Sequence, residues 1–327
     1  MKKLTLLLLI VFTVGTFALD VDMNMKGSVG FELDAGGPSD QTQSFGDVRA
    51  TLKISKGDTN FYWIPKLSSS TLCDYLFADT MTGLGLFRVG LQRIGLANFV
   101  AGPYATSTFL LESVQKGSGI SLATKIAGMT TRISLLGNMF LVDDGKANGS
   151  NNNSSKSSLS VLVNTGMPFG LKVGAVYNNL STNGAAKNGL SAYAEAQENF
   201  AGFNVKAAAF YDLSADAAKS SLFDYLYLAS EAAVPGSGMN YTKARQLIQV
   251  YADYALPGGI LLAGSYTTDL NQAGLIDSEM IAAAKYALTP EVNAWFTYNV
   301  TKVSAGASPV LGTDLQTAKM SFEFLVM

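Results

Sequence analysis

From residue 21 to 34 the chain alternates without a break. Val21, Met23, Met25, Gly27, Val29, Phe31 and Leu33 are apolar or glycine, and Asp22, Asn24, Lys26, Ser28, Gly30, Glu32 and Asp34 stand between them. Side chains on a strand point to opposite faces in turn, so the pattern predicts one strand with an apolar face and a wet face. It runs well past the roughly 5–6 residues usual in soluble proteins. The same period returns downstream. Gly46, Val48, Ala50, Leu52 and Ile54 oppose Asp47, Arg49, Thr51, Lys53 and Ser55, and Phe87, Val89 and Leu91 oppose Arg88, Gly90 and Gln92.

The breaks between alternating runs have turn chemistry. Lys56-Gly57-Asp58 separates the second run from an aromatic one at 60–67, where Pro65 weakens the pattern locally. Residues 68–82 read as a weak strand or a short helix. Beyond them the chain resolves into hairpins: 120–126 with 129–137, 159–164 with 171–178, 190–197 with 203–212, 247–254 with 260–268, and 280–287 with 292–300. The last run is 315–326. Short Gly- or Pro-bearing turns alternate with polar connections of about ten to thirty residues, the asymmetry of a transmembrane barrel with short turns at one rim and long loops at the other. The reading is an all-β, antiparallel, up-and-down barrel of about sixteen strands, within a range of about fourteen to eighteen. The weak segment near 70–80 is needed for that number, and 222–229 offers a further hairpin.

Composition supports a barrel over a soluble sandwich. The chain is 48% hydrophobic with only 15% charged residues and a mean hydropathy of +0.21, yet no segment after the N-terminus approaches the roughly 20 apolar residues of a spanning helix. The N-terminus itself carries Lys2 and Lys3, an apolar run over 4–14, and Thr16-Phe17-Ala18. That pattern predicts a signal peptide at 1–18, cleaved after Ala18, and a barrel over 19–327. The apolar run is short for a membrane anchor. The lone Cys73 excludes an intrachain disulfide framework. The absence of histidine removes Ser-His-Asp and Cys-His catalysis and every His-ligated metal site, and no paired-carboxylate site stands out. The expectation is a protein that is not an enzyme and uses no cofactor. A net charge of −2 gives no reason to expect a nucleic-acid partner.

With the apolar phase facing lipid, the alternate phase faces the lumen. It includes Asp22, Lys26, Glu32, Asp47, Arg49, Lys53, Arg88, Lys125, Arg132, Glu195, Lys206, Lys285, Lys319 and Glu323. Aromatic residues on the apolar phase, among them Phe45, Tyr177, Phe203, Tyr211, Tyr254, Tyr286, Phe296 and Phe324, are expected near the membrane interfaces. Of the long connections, 95–116 holds Phe99, Val100, Phe109, Leu110 and Leu111, which need cover. Folding of that segment into the barrel, or against a neighbouring subunit, supplies it.

Two segments carry a family resemblance. Ala284-Lys285-Tyr286-Ala287-Leu288-Thr289-Pro290-Glu291-Val292-Asn293-Ala294-Trp295-Phe296-Thr297-Tyr298 resembles the Y-x-L-S-K-R-T-x-x-Y-x-x-Y hairpin of general Gram-negative porins, and Leu86-Phe87-Arg88-Val89-Gly90-Leu91-Gln92-Arg93 resembles their v-x-x-G-R-Q strand. The resemblance implies a water-filled channel for passive diffusion of ions and small hydrophilic solutes. It also implies an outer-membrane location, a homotrimer, and contact with outer-membrane lipid and the barrel-assembly machinery. It makes 95–116 the third loop that narrows the pore, and sets Arg49, Arg88 and Arg132 opposite Glu112, with Lys53 and Lys125 also lining the pore. This chain departs from the family in ending Phe324-Leu325-Val326-Met327 rather than on Phe, and in offering one acid, Glu112, on that loop. The competing reading is a surface adhesin or structural barrel whose long loops at 95–116, 143–158 and 213–243 carry the function.

Overall fold

A computed structural model describes residues 20–34, 42–65, 75–93, 95–96, 99, 101–102, 116–137, 155–182, 185–213, 246–270, 276–303 and 315–326. The strands in order are β1 (Asp20–Asp34), β2 (Thr42–Lys56), β3 (Thr59–Ile64), β4 (Tyr75–Thr82), β5 (Gly85–Arg93), β6 (Lys116–Ile126), β7 (Met129–Gly137) and β8 (Ser155–Asn164). They continue as β9 (Lys172–Thr182), β10 (Ala185–Phe200), β11 (Phe203–Asp212), β12 (Gln246–Leu256), β13 (Ile260–Asp269), β14 (Ile276–Thr289), β15 (Val292–Val303) and β16 (Leu315–Val326). Each pairs antiparallel with its neighbours in sequence, and β1 pairs with β16, so one sheet closes on itself. The ambiguous segment at 68–82 yields β4, and Pro65 falls just past the end of β3. The 222–229 segment and the expected signal peptide lie outside the described residues.

The turns at one rim are two or three residues long, at 57–58, 83–84, 127–128, 201–202, 257–259 and 290–291, with a seventh, slightly longer connection at 165–171. In two of them both residues have positive φ: Ala127 at 50° with Gly128 at 81°, and Ala201 at 49° with Gly202 at 85°. That conformation matches the right-handed twist of paired strands and so holds the register. The connections at the other rim run from two residues, between Thr182 and Ala185, to thirty-three, between Asp212 and Gln246. The short one corrects the expectation of uniformly long loops there. There β9 and β10 stay paired as far as Ala185 opposite Thr182, where backbone pairing satisfies groups that a loop would leave to water.

Register carries the alternation around the ring. On the inner face Asp22 pairs with Lys53, Lys53 with Tyr62, Tyr62 with Phe77, and Phe77 with Gly90. At the closing seam Glu323 pairs with Ser28 and Lys319 with Glu32 on the same face. The opposite face presents Val29, Val89, Ile120, Leu135, Val250, Leu262, Met280 and Phe296 to the outside, with Val250 42% and Met280 51% exposed. An apolar belt that encircles a closed sheet has hydrocarbon as its medium, because water would leave it as one continuous hydrophobic surface. Aromatic residues mark the rims, as where Phe203 and Tyr254 pack with ring centroids 4.6 Å apart beside the 201–202 turn.

Two details differ from the periodic reading. Phe45 shares the backbone phase of Asp47 and Arg49, opposite Gly30 in the β1–β2 ladder, where the periodic reading grouped it with the apolar set. Ala50 and Leu52 keep the outward phase but are buried at 1% exposure. Their register neighbours Met23, Met25 and Trp63 are larger and stand on both sides of them.

Val250→Arg places a charge on the lipid face in mid-strand and should lower the unfolding free energy in lipid vesicles by roughly 2–4 kcal/mol. Lys125→Ala, on the wet phase, should change it by less than about 0.5 kcal/mol in the same denaturant titration. Ala127→Asn should raise stability by about 0.5–1 kcal/mol, since asparagine tolerates the left-handed conformation that alanine holds there at a cost.

Candidate functional site

The inner wall of β2 to β7 holds the predicted basic residues. Arg88 Nη2 donates to Asp79 Oδ2 at 3.0 Å, Asn60 Nδ2 donates to Asp79 Oδ1 at 3.0 Å, and Ser55 Oγ donates to Asn60 Oδ1 at 2.8 Å. One chain of hydrogen bonds therefore crosses four strands. The Arg88 guanidinium also lies 4.1 Å from the centre of the Phe77 ring. Gly90, the register partner of Phe77 on β5, has φ +126°, and an added Cβ would stand 2.3 Å from the Leu76 carbonyl oxygen, so β4 and β5 approach closely at this point. Arg132 Nη2 donates to the Arg93 carbonyl at 2.8 Å and to Gln92 Oε1 at 3.2 Å. Gln92 accepts from Ser121 Oγ at 2.7 Å, and Ser121 is the register partner of Arg88. Gln92 thus ties the two arginines into one sector.

The remaining predicted residues divide. Lys53 leans over the Tyr62 ring at 6.0 Å, and Lys125 stands exposed beside the 127–128 turn. Arg49 pairs with Lys26 on the inner register, while its side chain, like Glu112 and the rest of 103–115, lies outside the described residues. The long connections at 143–154 and 214–243 lie outside them as well.

The described part of the 95–116 segment lies inside the barrel. It leaves β5 beside β7 and β8, where a Cβ on Gly95 would stand 3.2 Å from Arg132 Nη1 and 3.7 Å from Leu162 Cδ1. Phe99 N donates to Gln249 Oε1 on β12 at 3.4 Å, and its ring lies 5.8 Å from Lys206 Nζ, which also sits 5.0 Å from the Tyr251 ring. Ala101 N donates to Ser265 Oγ on β13 at 3.0 Å. Ala101 is fully buried against Ile281 and Ala283, with Tyr251, Ala263 and Trp295 around it. Gly102, at φ +83°, closes the contact, since a Cβ there would meet Thr297 Cγ2 at 2.6 Å. The segment is thus a chord that runs from the β7–β8 wall to the β13–β15 wall. Seven residue steps reach at most about 25 Å.

Several other inward charges are matched in place. Trp295 Nε1 donates to Glu323 Oε2 at 3.1 Å, and Asn293 Nδ2 to the same oxygen at 3.3 Å. Asn299 serves Glu279 at 2.9 Å, and Asn204 serves Asp253 at 2.9 Å. Lys172 pairs with Glu195 at 2.6 Å, and the Tyr193 hydroxyl donates to the same carboxylate. Sequence reasoning missed a second feature. Leu136, Leu162, Val176, Tyr193, Phe210 and Leu247 take the inward phase on six successive strands and are buried, Leu136 completely. A lumen wall closed to solvent on one side, where these residues stand among buried Ser134, Ser158, Ser160, Ser191 and Gln249, departs from simple alternation. Runs such as Leu135-Leu136 hold the only sequence trace of it.

A closed sixteen-stranded antiparallel barrel, apolar outside and polar over much of its inside, with its β5–β6 connection laid across the lumen, has the architecture of the Gram-negative outer-membrane porins. Solved porin structures match over 94% of this chain. OmpT of Vibrio cholerae matches with a TM-score of 0.58 at 10% identity over 98% of its own length, and Salmonella typhi OmpF, in complex with daunomycin, with 0.60 at 15% identity over 97%. A mutant of the Rh. blastica porin matches with 0.56 at 13% identity over its full length. No family profile and no curated protein sequence matches the chain. The likeness is therefore one of fold.

The chord depends on two small groups. Ser265→Ala leaves the buried Ala101 N–H without its acceptor, a loss of about 1–3 kcal/mol. Gly102→Val forces a side chain into Thr297. Both changes should speed hydrogen exchange of the Phe99 and Ala101 amides by about tenfold or more, with strand amides unchanged. Unaltered exchange in both variants would count against an anchored chord.

Proposed function

We propose that this protein is an outer-membrane porin, exported behind a cleaved signal peptide and assembled as a homotrimer. It forms a water-filled channel through which ions and small hydrophilic solutes diffuse passively. The observation that carries the reading is the chord, fixed by Ser265, Gln249 and the Ala101 cluster across the lumen. A segment held there narrows the path without closing it, and the basic sector on the opposite wall gives the narrowing a direction of field. Arg49, Arg88, Arg132, Lys53 and Lys125 are the pore-lining cations in this reading, and Glu112 is the acid that faces them. Trimer formation is consistent with the trimer form solved for Vibrio cholerae OmpT. Neither catalysis nor a cofactor enters the reading.

The dry sector of Leu136, Leu162, Val176, Tyr193, Phe210 and Leu247 favours a second reading, a barrel filled by its own chain whose external loops act as an adhesin or structural surface. Single-channel recording in planar bilayers separates the two. A porin conducts, and Gly102→Val, by freeing the chord, raises its conductance. Neutralising Arg49, Arg88 and Arg132 together should shift the reversal potential towards cation preference, because the positive side of the field is lost while Glu112 stays. Absence of conductance from correctly folded trimers would transfer the function to the loops.

A further inference from the structure

The inner wall of β2 to β5 holds an arrangement that the alternating pattern does not announce. Tyr62 and Phe77 pack face to face with centroids 4.8 Å apart and planes 27° from parallel. Arg88 covers the far face of Phe77 at 4.1 Å, and Lys53 stands over the outer face of Tyr62 at 6.0 Å. The four side chains form a column along the wall in the order cation, ring, ring, cation. All four are only partly buried.

The chemistry of such a column follows from what is left uncovered. Ring faces are negative and ring edges positive. Here the faces are engaged by one another and by the two cations, so the lumen meets the edges. A sugar, which stacks its C–H groups on open ring faces, finds none. A flat aromatic solute laid across the edges presents its own negative face to them, which is the edge-to-face arrangement aromatic pairs prefer. The ends of the column differ. Arg88 is held to Asp79 at 3.0 Å, so its charge is largely satisfied. Among the described residues Lys53 has the looser ring contact alone, with exposed Asp22 as its register neighbour on β1. It is the end at which an added anion gains most.

We infer that the column of Lys53, Tyr62, Phe77 and Arg88 is a binding subsite for an aryl carboxylate, with the solute ring across the edges of Tyr62 and Phe77 and its carboxylate at Lys53. As a site on a solute path, it rests on the channel reading. As a binding site it stands on the geometry alone. The interaction is reversible and involves no bond making. Asp22 tempers the charge at Lys53 and so sets how long the anion stays.

Calorimetric titration of the folded full-length barrel in detergent with benzoate, acetate and glucose tests the assignment. Benzoate should bind roughly fivefold or more tightly than acetate, the excess expected of an aromatic edge-to-face contact, and glucose should give no signal. Phe77→Leu should abolish the preference of benzoate over acetate. Lys53→Gln should weaken benzoate by at least about threefold, and Asp22→Asn should tighten it, as like-charge repulsion is removed. Heat-modifiable mobility confirms that each variant is folded. Should Phe77→Leu fail to fold, the two charge variants carry the test, since both leave the Tyr62–Phe77 stack in place. Equal affinity for benzoate and acetate, measurable glucose binding, or unchanged benzoate affinity in Lys53→Gln would overturn the subsite. Single-channel recording keeps the two readings apart. Conductance without benzoate preference overturns the subsite and leaves the channel, and benzoate binding without conductance overturns the channel and leaves the subsite.

Discussion

Hydrocarbon offers no hydrogen bonds, and every other feature of this molecule follows from that. Each backbone N–H and C=O within the apolar belt must find a partner in the protein, and a sheet achieves this only by having no edge. The ladder between β1 and β16, from Met25 opposite Val326 to Asp34 opposite Thr317, removes the two edges that fifteen hairpin-type pairings would leave. Once the sheet is closed, the side-chain period of two has a fixed meaning around the ring, and a one-residue slip at any ladder would turn charges such as Glu323 and Lys319 to lipid. The left-handed turn residues Ala127 and Ala201 help prevent such slips.

Closure also creates an inside that must be furnished. A sixteen-stranded cylinder is too wide for its own wall side chains to fill. The chain divides that space unequally. The chord from Gly95 to Gly102 and the dry inward patch on β7 to β12 occupy one part, whereas the exposed inward residues Asp22 and Asn24 and the half-buried column on β2 to β5 border another. In the proposed channel, the solute path is off-axis and runs along the basic and aromatic wall. The Gly90 position illustrates how tightly that wall is built, since a Cβ there would stand 2.3 Å from the Leu76 carbonyl oxygen on the neighbouring strand.

The sequence displayed the outer face far better than the inner. Lipid demands apolar side chains at every second position, and β1, β5 and β12 obey almost without exception, so their strands and phases could be read directly. The inner face answers to several demands at once. Tyr75 and Phe77 are inward aromatics, which blurs the alternation of β4 and explains why 68–82 read as a strand or a helix. Phe45 holds the register phase of Asp47 and Arg49, although its apolar character alone grouped it with the other face. Arg88 and Arg132 could be assigned to one wall from strand order alone, but their partners could not, because Asp79, Gln92 and Ser121 meet them across ladders. The inward Leu136, Leu162 and Leu247 were illegible because one periodic rule cannot distinguish apolar residues that face lipid from those that face other protein.

The two tryptophans fall on opposite sides of the wall. Trp63 takes the outward phase of β3, opposite Leu52, and Trp295 points inward against Ala101, with Glu323 on its indole N–H and Lys285 over its ring. The chain therefore carries a pair of intrinsic fluorophores that report different events. Brominated acyl chains should quench Trp63 as the barrel inserts, whereas the emission of Trp295 answers to the polarity of the lumen and to the seating of the segment packed on it. Light emitted by one unlabelled protein can thus time membrane insertion separately from the furnishing of the pore.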